Sequence, residues 1–229
     1  MIQRIYDDMW REFCFALQQR QYQIDRNIHN PADTRRGLTA LAYISANSRS
    51  VSDEIANFIA QLKGVEPAQY YYPVDEVHLT LLSIISCIEG FQLCAIAPGD
   101  YVEVFTHALL QSGPIDIEFR GITASPACIV IQGFPVGDGL ATLRDTLRRN
   151  FNATALKTSF DSRYKLVTAH CSAIRFCSPI DNPERLLDCC QQYRDHHFGT
   201  ARLSDFELVF NDWYQRRTTT QSLAKYAMT

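Results

Sequence analysis

Two short stretches of this chain share one design: Val77-His78-Leu79-Thr80-Leu81 and Ala169-His170-Cys171-Ser172-Ala173. Each sets a histidine two residues before a hydroxyl side chain inside an apolar run. Alternate side chains of an extended strand share a face, so His78 stands beside Thr80 and His170 beside Ser172, while the small or apolar residues between them point into a core. Two strands of this kind, a half-chain apart, require a sheet around each and restrict the fold more than any other feature does.

The surrounding elements follow from periodicity and punctuation. Residues 2–22 read as a helix through Ile5, Met9, Trp10, Phe13, Leu17 and Tyr22, followed by a polar connection to residue 36. Gly37–Ser45 reads as a strand; the next helix takes Ser50 or Ser52 as N-cap, carries the stripe Ile55, Phe58, Ile59 and Leu62, and closes at Gly64. Gln69–Tyr72 is a short strand, and Val77–Ser86, with the first motif, is a strong one central to its sheet. Asp100 is expected to cap a helix ending near Gly113, and residues 115–122 and 127–134 form a hairpin. The helix marked by Leu140, Leu143, Leu147 and Phe151 carries Arg144, Arg148 and Arg149 on what reads as its solvated side. Val167–Phe176 holds the second motif, Asn182 and Pro183 open a helix that Gly199 stops, and residues 203–210 and 218–227 are two closing strands.

Each motif strand is preceded by a strand and a helix and followed by another helix, which suggests two related halves. Antiparallel sheets with helices on their outer faces would turn each motif face toward the other half. The domain reading is a helical extension and connection over 1–36 and one continuous unit over 37–229.

Composition narrows the function classes. A formal net charge of −3 over 229 residues speaks against broad attraction to nucleic acid or anionic membrane, and leaves room for a local basic pocket. No apolar run of about 18 residues could span a bilayer and no secretory leader is evident, so a soluble, cytoplasmic chain is the expectation, with a monomer favoured. The eight cysteines form no CxxC pair, and reduced thiols with no structural metal and no cofactor are expected. His196-His197 invites a metal reading, but adjacent side chains on a helix diverge, and cations near a helix C-terminus are favourable without one.

Two histidines and two hydroxyls facing each other make an apparatus for phosphodiester cleavage. One neutral imidazole takes a proton from an attacking water or ribose hydroxyl while the other, protonated, supplies one to the departing oxygen. Histidine suits both roles because its ordinary pKa, near ~6.5, makes both states accessible around neutrality. Thr80 and Ser172 would donate to the non-bridging phosphate oxygens, where charge builds.

The stretches Pro73–Leu82 (PVDEVHLTLL) and Ala169–Arg175 (AHCSAIR) resemble the paired His-x-Thr/Ser signatures of the 2H phosphoesterase superfamily, the group containing RNA 2',3'-cyclic phosphodiesterases and 2'-5' RNA ligase-like proteins. The resemblance implies a bilobal α+β fold, two antiparallel sheets forming a central cleft with helices on the outer faces, and both histidines at its floor. It implies metal-independent action on 2',3'-cyclic phosphate or 2'-5' linkages of RNA ends or small nucleotides. It makes His78 and His170 the acid and base, Thr80 and Ser172 the phosphate holders, and Arg175 a further phosphate contact. Strict alternation would put Arg175 on the face opposite His170, so a bulge or the strand's end must turn it. Cys171 and Ala173 stand where larger aliphatic residues are commoner in the family, and the N-terminal helix lies outside the part that resembles it.

Aromatic side chains near the motifs are candidates to stack a nucleobase: Tyr72 before the first, Tyr164 before the second, and Trp213 in the last turn. Arg163 and Lys165 would make the cleft mouth locally basic. Two other readings of the same residues are a non-catalytic nucleotide- or RNA-binding module with the same cleft, and a structural protein with buried, satisfied histidines.

Overall fold

The alternating apolar stretches assemble into two antiparallel sheets in the computed structural model, which describes residues 2–162 and 165–228. Helix α1 (Ile2–Gln18) is followed by β1 (Arg36–Tyr43), the single turn α2 (Ile44–Asn47), α3 (Arg49–Val65), β2 (Tyr70–Tyr71) and β3 (His78–Ile88). After a 3-10 turn at Leu93–Ala95 come α4 (Pro98–Leu110), the hairpin of β4 (Ile115–Ser125) and β5 (Cys128–Pro135), and α5 (Gly139–Asn152). The chain closes with β6 (Cys171–Arg175), α6 (Pro183–Gln192), β7 (His197–Leu203), β8 (Asp205–Asp212) and β9 (Gln221–Ala227). One sheet runs β3-β1-β8-β9 and the other β2-β6-β5-β4-β7. This is the two-sheet α+β architecture that the motifs imply.

The sheets are not two consecutive halves of the chain. β2 leaves the first motif's segment to pair with β6, Tyr70 lying opposite Arg175. β8 and β9 return from the C-terminal end to extend the sheet of β1. Each motif strand is therefore held by chain from both ends.

β3 is an edge strand rather than a central one. Its open edge is satisfied from outside the sheet: Ser159 N donates to Ile84 O at 2.8 Å, Ser86 N donates to Ser159 Oγ at 2.8 Å, and Arg144 reaches the Thr80 and Leu81 carbonyls. The second motif strand is shorter than expected, β6 beginning one residue after His170.

Helix boundaries follow local caps. Ser48, not Ser50 or Ser52, caps α3 by accepting from Val51 N, so the helix starts earlier than expected, directly after the α2 turn. α4 opens with Pro98 after Ala97, leaving Asp100 in the first turn rather than at the cap. Asn182 does cap α6, accepting from Arg185 N at 3.0 Å. Gly199 lies inside β7 at φ 115°, where a Cβ would stand 3.1 Å from Val51 Cγ2, so its lack of a side chain lets α3 close over the strand. The closing segment is three strands, β7 to β9, where the apolar pattern reads as two.

The helices cover the outer faces. α3 buries Val51, Ile55, Phe58 and Leu62 against β7 and α6, and α1 buries Tyr6, Phe13 and Leu17 against β4. Tyr6 Oη donates to Gly133 O at 3.1 Å, and Thr123 Oγ1 donates to the Tyr6 carbonyl at 2.7 Å. Among the described residues no helix is long and apolar enough to cross a membrane.

Candidate active site

The two motif strands break their alternation in the same way. β3 reads His78-Leu79-Thr80-Leu81-Leu82-Ser83 and the second motif His170-Cys171-Ser172-Ala173-Ile174-Arg175, with two adjacent buried apolar residues after the hydroxyl in each. In β3 the pairing with β1 skips Leu81; in β6 the pairing with β5 skips Ala173. Each bulge returns the third residue after the hydroxyl to the face of the histidine. His78, Thr80, Ser83, His170, Ser172 and Arg175 consequently line one cleft of about 250 Å³.

Both histidines are anchored through Nδ1. His78 Nδ1 lies 2.7 Å from Glu76 O, which can only accept, so the ring carries its proton there and turns Nε2 outward as an acceptor. His170 Nδ1 lies 2.9 Å from Thr168 Oγ1, a partner that serves either tautomer. Burial pushes both rings down to about 4: for His78 against the Glu76 hydrogen bond and with help from Arg175 and Arg217, for His170 with help from Arg144, His78 and Arg175. An anion seated between the rings would oppose that shift.

Glu76 also fastens the far wall. Its carboxylate accepts from Arg217 N at 2.8 Å, its second oxygen is buried without a partner among the described residues, and burial pushes the carboxyl up. The turn that carries Trp213 is thereby tied to the residue that orients His78.

Arg175 enters the cleft as a guanidinium that, among the described residues, forms no ion pair. Its Nε donates to Tyr72 Oη at 2.9 Å, and it lies 5.7 Å from the Tyr214 ring centroid. Tyr72 is only 3% exposed, which leaves it no face for a base; its part in the site is to hold Arg175. Trp213 is half-buried on the cleft wall, with Arg35 5.0 Å from its ring centroid. Tyr164 and Arg163 lie outside the described residues; Lys165 pairs with Asp145 at 3.6 Å. His196 and His197 stand at the start of β7 rather than in a helix, and pair separately with Glu54 at 3.3 Å and Glu118 at 3.6 Å. Among the described residues no three His, Cys, Asp or Glu side chains are grouped to hold a metal ion.

Of the three arginines of α5, Arg149 is exposed as expected, but Arg144 and Arg148 are buried. Arg144 is 3% exposed and donates to the carbonyls of Leu81 at 3.0 Å, Thr80 at 2.7 Å and Thr168 at 3.0 Å, bracing both motifs at once. Arg148 donates to both Asp161 oxygens, at 2.6 and 3.1 Å, and to Leu166 O at 3.3 Å. It fixes the segment whose Ser159, Phe160 and Leu166 wall the cleft. The signal was in the spacing: Arg144 falls four residues after Leu140 and three before Leu147, on the buried stripe of α5.

Comparison with known proteins places the fold. No protein-family model matches this chain, and no curated protein matches it. Solved structures do. The chain is 16% identical to TT0787 of Thermus thermophilus, covering 84% of this chain and 97% of that one at a TM-score of 0.58. It is 13% identical to E. coli LigT in its apo form, covering 86% and 99% at 0.54, and 14% identical to a protein described as a phosphoesterase, covering 85% and 99% at 0.54. Over some five-sixths of its length the chain therefore has the fold of TT0787, of LigT and of the structure described as a phosphoesterase, as the two His-x-Thr/Ser motifs lead one to expect.

Proposed function

We propose that the chain is a metal-independent phosphodiesterase acting on 2',3'-cyclic phosphate or 2'-5' linkages of RNA ends or small nucleotides, in the cytoplasm. The observation that carries the reading is the convergence in one cleft of two Nδ1-anchored imidazoles, two hydroxyls and the Arg175 guanidinium. The LigT-like fold, with LigT structures described as complexes with 3'-AMP, ATP, NADP+ and phosphate, supports a nucleotide as the ligand.

In hydrolysis of a 2',3'-cyclic phosphate, neutral His78 takes the proton of an attacking water at Nε2. The water oxygen bonds to phosphorus, the bond from phosphorus to one ribose oxygen breaks, and protonated His170 gives that oxygen its proton. Thr80, Ser172 and Arg175 donate to the non-bridging oxygens. The fixed tautomer of His78 favours it as base, since its Nε2 presents a lone pair whenever the ring is neutral.

Turnover of 2',3'-cyclic nucleotides and 2'-5' oligonucleotides, measured with a chelator present, tests the activity. His78→Ala and His170→Ala are expected to lose at least about a hundredfold each in kcat. A substrate with an acidic p-nitrophenol leaving group needs no acid, so it should restore rate to His170→Ala and not to His78→Ala. Near-wild-type turnover by either variant on the natural linkages would end the assignment, and tight nucleotide binding without turnover would favour a binding module.

A further inference from the structure

Two carboxamides on the cleft wall are buried with an oxygen left over. Asn211, 2% exposed, donates through Nδ2 to Asp212 O at 2.7 Å and has Cys87 Sγ at 3.6 Å. Because Asp212 O can only accept, the orientation of the amide is fixed and Oδ1 is an acceptor, buried with no partner among the described residues. Gln215, 7% exposed, also lines the cleft and leaves Oε1 buried and, among the described residues, unpartnered.

The backbone holds Gln215 where it is at a conformational cost. Its φ is 60°, in the left-handed region that favours glycine. Asp212 enforces that turn: its carboxylate accepts from Tyr214 N at 3.0 Å and Arg216 N at 3.1 Å, and its carbonyl from Gln215 N at 3.3 Å. A strained residue held by its surroundings, lining a cleft and carrying an unmet polar group, is a mark of a ligand contact.

We propose that Asn211 and Gln215 form an acceptor-lined subsite that reads the amino group of the nucleobase, so that substrates whose base carries an exocyclic amine are selected over those that lack one. This rests on the nucleotide reading above. Trp213 lies between the two amides in sequence and lines the same cleft, within which a base would be held. An exocyclic amine presents two N–H donors and no acceptor; a keto oxygen in its place would meet carbonyl oxygens.

The test compares 2',3'-cyclic AMP with the 2',3'-cyclic phosphate of purine riboside, the same ring without the amine. The wild-type protein is expected to favour the amine by about tenfold or more in kcat/KM. In Gln215→Gly, which suits the left-handed turn, and in Gln215→Leu, the ratio should fall toward one. Equal wild-type values, or a ratio unchanged in both variants, would overturn the subsite. Calorimetry with 3'-AMP and purine riboside 3'-monophosphate reads the same ratio without turnover. A preference in binding with no turnover would sink the enzymatic reading and keep the subsite, whereas no binding of either would remove both.

Discussion

Ser83 and Arg175 stand at the same place in their two strands, each three residues beyond a motif hydroxyl, each past a bulge, and each on the wall of one cleft. The two motifs thus present matching frames with one asymmetry: a neutral hydroxyl on one side and a fixed cation on the other.

That asymmetry predicts unequal losses. Arg175→Met should lower kcat by about a hundredfold, the scale of removing one donor to a charged transition state, whereas Ser83→Ala should cost far less. Tyr72→Phe removes the hydroxyl that receives Arg175 Nε and should fall between them. Steady-state kinetics on a 2',3'-cyclic nucleotide orders the three, and a larger loss for Ser83→Ala than for Arg175→Met would refute the assignment.

Arg144 links the motifs through the backbone, so its loss should be felt in stability and in catalysis. Arg144→Met leaves the carbonyls of Thr80, Leu81 and Thr168 buried without their donor, which should cost about 3 kcal/mol and lower Tm by roughly 6–12 °C. Removing the cation should also let the His170 pKa rise, since Arg144 is the first charge holding it down. NMR titration of the two rings separates this from simple unfolding: the His170 midpoint should move and the His78 midpoint should stay.

Much of this site was legible in the chain, and the parts that were not share a cause. The motif histidines and hydroxyls stand out because strand alternation is local. The bulges were written too, as the paired apolar residues Leu81-Leu82 and Ala173-Ile174, but a strict period of two hides them. Arg144 was hidden because charge outweighs spacing when a helix face is judged by composition, although its carbonyl partners come from segments 63 and 24 residues away. Asn211 and Gln215 carried no signal, since an unmet oxygen is a property of a three-dimensional neighbourhood. The edge position of β3 likewise follows from the C-terminal strands returning to β1, a long-range pairing that no local pattern encodes.

The depressed histidines predict a pH-dependent stability. Each ring titrates near its ordinary 6.5 in the unfolded chain and at about 4 in the folded one, so between those values the unfolded chain binds more protons. The resulting stability is complete above pH ~6.5 and is lost as pH falls toward ~4. Urea midpoints should decline across that window, and the decline should flatten in the doubly substituted His78→Gln, His170→Gln protein. In catalysis, a bound phosphate anion raises the acid's pKa, so the descending limb of kcat should lie at higher pH than that of kcat/KM. Coincident limbs would mean that the phosphate does not sit against the protonated ring.

The N-terminal helix should matter to the second motif through β5. Gly133 of β5 is packed so closely that a Cβ there would stand 1.8 Å from Ala169 O, the carbonyl just before His170. Tyr6 of α1 also holds Gly133, donating to its carbonyl and accepting from its amide at 3.3 Å. Tyr6→Phe strips both bonds and should cost about 1–2 kcal/mol, a Tm loss of roughly 2–8 °C, with little change in kcat because the ring still fills its place. Gly133→Ala should instead displace the backbone at Ala169 and depress kcat more than its stability loss explains. Thermal melts and turnover on the folded fraction of each variant distinguish the two, and equal kcat in both would mean that α1 and β5 support the fold without positioning His170.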